Sequence, residues 1–148
     1  MPSYRIETNF AVFTRRVRVF DDAGGLVMSI DQRKRYSPDQ VVIEGPAGPV
    51  VRVVSRTVQR DEPQYELFAA DTGASLGYLR RNGHVLSTGY DTIGRADDTG
   101  IVSGSERVAT IDDGRVDLLT SHLDPRFVLG IAILRAIPEL WLPANDDL

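Results

Sequence analysis

Along most of this chain, short apolar bursts stop abruptly at clusters of acidic residues and glycine. Residues 17–20 and 26–30 flank Asp21-Asp22-Ala23-Gly24-Gly25. Residues 41–43 and 50–54 flank Glu44-Gly45-Pro46-Ala47-Gly48, and residues 65–68 and 76–79 flank Asp71-Thr72-Gly73. Short runs rich in branched residues favour strands. An acidic residue near glycine supplies the local side-chain bonding and positive φ of a tight connection. The pattern therefore predicts hairpins. Gly24, Gly48, Gly73 and Gly100 recur about every 25 residues, so the hairpins form a repeat whose fourth unit, Asp97-Asp98-Thr99-Gly100, is the most degraded. Further hairpins fit Asn82-Gly83, between residues 76–81 and 84–87, and Asp112-Asp113-Gly114, between 107–111 and 115–119. The total is about ten to twelve short strands.

Within the repeat, Val27, Val51 and Leu76 stand three residues after the glycine, and Ile30, Val54 and Leu79 stand six after it. In a flat strand these positions have opposite parity, so both face one core only if the strand is bulged or strongly twisted. Such strands belong to a sheet that curls into a barrel.

The end of the chain differs in kind. Asp124-Pro125 offers an N-cap with proline at the first helical position. Residues 127–137 follow, apolar except for Arg135, and Pro138 stops them. No polar stripe appears at helical spacing, as a surface helix requires, and the run is too short to span a bilayer. Residues 124–137 therefore read as a helix buried on all sides. No comparable second helix exists to cover it, and only a sheet rolled around it covers every face. The expected fold is mainly β: a closed antiparallel barrel around a buried C-terminal helix. Residues 1–142 form one domain and 143–148 an acidic, disordered tail.

These units carry a family resemblance. Val19-Phe20-Asp21-Asp22-Ala23-Gly24 with Val27 and Ile30 forms the first. Val42-Ile43-Glu44-Gly45-Pro46-Ala47-Gly48 with Val51 and Val54 forms the second, and Tyr65-Glu66-Leu67 leading to Gly73, Leu76 and Leu79 the third. With the closing helix, the chain resembles the LURP-one-related proteins, which share a fold superfamily with phospholipid scramblases and the tubby C-terminal domain. The resemblance implies a barrel threaded by the helix. For function it implies a binding module, since tubby-like domains bind phosphoinositides and scramblase-like members associate with membranes. The scramblase-like calcium site does not carry over, because Asp112-Asp113-Gly114-Arg115-Val116-Asp117 lacks the spacing of a calcium loop. No tubby lipid-contacting residue matches one for one.

Composition narrows the chemistry. The net charge of −4 argues against nucleic acid as a partner. Absence of cysteine removes thiolate metal sites and cysteine nucleophiles and fits a cytoplasmic, reducing location. Two histidines, His84 and His122, make a dedicated zinc site improbable, and no cofactor is expected. Gly73-Ala74-Ser75-Leu76-Gly77 matches the nucleophile-elbow pattern, but that elbow needs a helix after it, and strand and turn follow here. The reading is non-enzymatic.

In an up-and-down meander the repeat glycines gather at one rim, with Asp21, Asp22, Glu44, Asp71, Asp97 and Asp98. The other rim collects Arg15, Arg16, Arg33, Lys34, Arg35, Arg56, Arg60, Arg80 and Arg81, diluted by Asp31, Asp39, Asp61 and Glu62. A basic rim attracts anionic lipid headgroups at a membrane surface, each residue contributing about 1 kcal/mol. The candidate binding residues are thus Arg15, Arg16, Arg33, Lys34, Arg35, Arg56, Arg80 and Arg81. The alternative partner is a protein met through loops or an exposed strand.

Overall fold

The structure, a computed structural model, describes residues 3–11, 14–31, 40–58, 62–112, 114–121 and 123–137. They form β1 (Ser3–Ala11), β2 (Thr14–Asp21), β3 (Leu26–Asp31), β4 (Gln40–Gly45), β5 (Gly48–Val58) and β6 (Glu62–Ala69). There follow β7 (Ser75–Arg80), β8 (His84–Leu86), β9 (Thr92–Asp97), β10 (Gly100–Ser103), β11 (Glu106–Asp112), β12 (Arg115–Leu118) and the helix α1 (Pro125–Ala136). Each strand pairs antiparallel with its sequence neighbours, and β1 closes on β12. The result is a closed twelve-strand up-and-down barrel.

The turns form for the reason their composition suggests. The Asp21 carboxylate accepts from the N–H groups of Ala23 and Gly25 at 3.0 and 2.8 Å, and Gly24 takes the left-handed φ of 84° between them. A bulge follows just inside each of the first three repeat turns, at Val19/Phe20, Ile43/Glu44 and Leu67/Phe68. The inward positions nevertheless differ from the three-and-six regularity. Met28 and Ile30, Val51 and Val53, and Gly77 and Leu79 are buried, whereas Val27, Val54 and Leu76 are half-buried. The second unit turns on Pro46-Ala47 alone, with Gly48 already in β5, so its inward phase slips by one residue.

The helix occupies the lumen. Asp124 caps it by accepting from the Arg126 N–H at 2.9 Å, Pro125 opens it, and Ile137 leaves it in an extended conformation. Every residue from Phe127 to Leu134 is buried. Successive helical residues are rotated by about 100°, so this stretch buries all faces. The wall meets the helix from β5, β6 and β7 and also from β12. Two glycines permit the fit. A Cβ on Gly77 (φ 138°) would stand 2.5 Å from the Leu86 carbonyl oxygen and 2.9 Å from Phe127 Cζ, and one on Gly130 would stand 2.7 Å from Leu67 Cδ2. Small residues at both sites let helix and wall approach.

Leu134 is fully buried. Leu134→Ala should cost about 2–5 kcal/mol in denaturant unfolding. Leu134→Asp, which buries an unpaired charge, should give no folded protein by near-ultraviolet circular dichroism; a cooperative, soluble Leu134→Asp variant contradicts the lumenal helix.

Candidate functional site

Strand parity decides which turns share a rim. The turns β2–β3, β4–β5 and β6–β7 are each separated by two strands and open at one end of the barrel. The helix enters there, as Arg126 Nη1 lies 3.3 Å from Asp71 Oδ1 in the β6–β7 turn. The connections β1–β2, β3–β4, β5–β6, β7–β8, β9–β10 and β11–β12 open at the other end, where the helix finishes. We term these the entry and exit rims.

This corrects the expected charge map. Between the Gly73 turn and the Gly100 turn run three strands, β7, β8 and β9, an odd number. Gly100, Asp97 and Asp98 therefore stand at the exit rim, opposite Gly24, Gly48 and Gly73. The basic residues fall as expected where they are described. Arg16 is the third residue of β2, Arg80 ends β7 and Arg81 begins the turn after it, while Arg15 and Arg56 are placed at that end by their strands alone. Arg33, Lys34, Arg35 and Arg60 lie outside the described residues, as do His122 and residues 143–148. Around the exit rim, β1–β8 bring Arg15, Arg16, Arg56, Arg80 and Arg81, whereas β9–β12 bring Asp97, Asp98 and Asp112 together with Arg107 beside Asp97 and Arg115 opposite Asp112. Asp21, Asp22, Glu44 and Asp71 remain at the entry rim, so the contrast between the rims loses only Asp97 and Asp98.

A cavity of about 500 Å³ opens at the same rim, where the barrel is staggered. β1 pairs with β2 from Tyr4 to Ala11 but with β12 only from Ser3 to Arg5, followed by one bond from the Ile6 N–H to the Gly114 carbonyl at 2.8 Å. Beyond Ile6, β1 makes no further ladder pairing with β11 or β12 among the described residues. Tyr4, Ile6, Thr8 and Phe10 share the inward parity. Ile6 reaches the core, yet Thr8 is exposed and Phe10 is 39% exposed. The cavity lies between these residues, Ile111, Asp112 and Gly114, and the last helical turn with Ala132, Arg135 and Ala136. The Nε of Arg135 is buried and has no hydrogen-bond partner among the described residues. Leaving such a group unsatisfied costs about 1–3 kcal/mol or more. Arg135 was visible as the one charge in an apolar run, and that was the signal available in the sequence.

The remaining polar groups are occupied. For Asp97, burial acts to raise the carboxyl, but bonds from the Thr99 hydroxyl at 2.6 Å and from the Thr99 and Gly100 N–H groups at 2.8 and 3.1 Å outweigh it and hold it low. The Ser3 hydroxyl does the same for Asp117, helped by Arg115. The Arg126 guanidinium, 2.9 Å away, holds Asp124 low, with the Arg126 N–H adding to it against burial. Burial pushes the Tyr65 phenol up to about 12. Ser75 opens β7, so a strand follows it, and its Oγ is buried without a hydrogen-bond partner among the described residues. The elbow geometry is not formed there.

Among the described residues no group of three or more histidines and acids gathers as a metal cluster, and no helix is long and apolar enough to cross a membrane. No family model, curated protein or solved structure matches the chain.

Two pH effects follow. The depressed carboxyls of Asp97, Asp117 and Asp124 give stability that is present above the unfolded value of about 3.9 and lost as pH falls through their folded values. Urea midpoints should be level from neutrality to mild acid and fall in stronger acid, and Asp124→Ala should lower the plateau by about 1 kcal/mol. At the alkaline end, the unfolded chain releases the Tyr65 proton near 10 while the folded chain keeps it until about 12. Stability should therefore drop across that interval. A late tyrosinate absorbance step should be missing in Tyr65→Phe; a titration identical in that variant contradicts the buried phenol.

Proposed function

We propose that the protein is a non-catalytic binding module of LURP-one/tubby-like type that meets anionic phospholipid headgroups through the basic arc of its exit rim. The observation that carries this reading is the parity of the meander. The β1–β2, β3–β4, β5–β6 and β7–β8 connections all open on one arc, so basic residues far apart in the chain share a direction. Arg15, Arg16, Arg56, Arg80 and Arg81 are placed on that arc by their strands and turn, and the strand ends flanking Arg33, Lys34 and Arg35 open onto it. Lysine or arginine near an anionic bilayer gains about 1 kcal/mol each. Asp97, Asp98 and Asp112 are repelled by the same surface, offset in part by Arg107 and Arg115 beside them, which favours an approach on the β1–β8 side. The module then docks tilted, on β1–β8.

A protein partner is the second reading, and one feature favours it. Beyond Ile6, β1 has no β12 residue beside it, and an incompletely paired strand is a template for an added one.

Sedimentation with vesicles rich in anionic lipid separates the readings. Binding should be strong at low salt and weaken as salt is raised. It should fall by about fivefold for each of Arg80→Glu and Arg81→Glu, and further in the triple change Arg33→Glu, Lys34→Glu, Arg35→Glu. Absence of binding to anionic vesicles at low salt rejects the lipid reading.

A further inference from the structure

The exit-rim cavity is the open end of the lumen rather than a surface wrinkle. Its walls continue the inward-facing positions of β1 and β11, and its floor is the last turn of the same helix that fills the rest of the barrel. Elsewhere those positions hold buried side chains. Here Thr8 and Phe10, though of inward parity, are exposed, so the core stops before the barrel does. Phe10 gives this concave opening an exposed apolar side chain beside the hydroxyl of Thr8, a combination of apolar and polar groups that suits a small ligand.

The polar groups state which ligand. Arg135 projects from the floor with its Nε buried and without a hydrogen-bond partner among the described residues. A guanidinium is always charged and offers its donors in a planar fork that fits a carboxylate. Asp112, the acid of the lining, is exposed at the mouth. Its position favours a ligand that carries its charge inward, to the arginine, and its apolar part along Phe10 and Ala136. At about 500 Å³ the cavity lies in the range of small-molecule sites.

We propose that this cavity binds a small aliphatic monocarboxylic acid, with Arg135 holding the carboxylate. The site needs no membrane and stands whether or not the basic arc meets one.

The test is a titration of methyl-labelled protein with octanoate, octan-1-ol and octylamine, followed by NMR. Octanoate should shift the methyls of Ile6, Ile111, Ala132 and Ala136 and saturate. Octan-1-ol, with the same chain and no charge, should bind about tenfold more weakly or worse. Arg135→Gln should bring octanoate to the level of the alcohol, and Arg135→Lys should keep part of the difference. Ala136→Phe, which fills the cavity, should remove binding of both. If Arg135→Gln fails to fold, the comparison of acid with alcohol on the unaltered chain decides alone. No saturable shift at these methyls, equal affinity for acid and alcohol, or tighter binding of octylamine through Asp112 overturns the proposal.

Discussion

A helix with no polar face has to be enclosed, and the rest of the molecule is arranged around that requirement. Burying Phe127, Val128, Leu129, Ile131, Ile133, Leu134 and Ile137 contributes on the order of 10–20 kcal/mol before chain entropy is counted, as an upper bound. A flat sheet would leave half of that surface wet. Closure of β1 on β12 covers the remainder, although the closing ladder is only three residue pairs long. The helix packs against β12 at the seam and against β5, β6 and β7 across the lumen, so these strands share one core with it.

Enclosure has a geometric cost that shows in individual residues. The wall comes close enough to the helix that Gly77 and Gly130 leave no room for a Cβ. Bulges near the entry-rim turns coil β2–β7 around the lumen. Closing a staggered sheet also means that its first and last strands end at different heights. Here β1 overshoots β12, and the overshoot leaves the cavity over Ala132, Arg135 and Ala136. The fold and the candidate site thus share one origin.

Much of the fold was legible in the sequence because its signals are local. Asp124-Pro125 and the apolar run after it define the helix within a few residues, and Asp21 to Gly25 builds its own turn from neighbouring groups. The rim assignment was not. Placing Asp97 depends on counting every strand before it, and β8 is only three residues long while β9 carries glycine, arginine and aspartate with little alternation. Gly100 resembles the other repeat glycines in sequence, but three strands separate its turn from that of Gly73, so it stands at the opposite rim. The cavity was hidden for another reason. It arises from the register of β1 against β12, segments more than a hundred residues apart in the chain. Only Arg135, a charge inside an apolar run, hinted at it.

Native-state amide hydrogen exchange along the helix probes the enclosure most directly. If the barrel wraps it, the amides of Ile131 to Leu134 open only with global unfolding, and their exchange free energies equal those of the slowest strand amides. Helix amides that exchange through a cheaper local opening, while the strands stay protected, would mean that the helix is a detachable element and not the core.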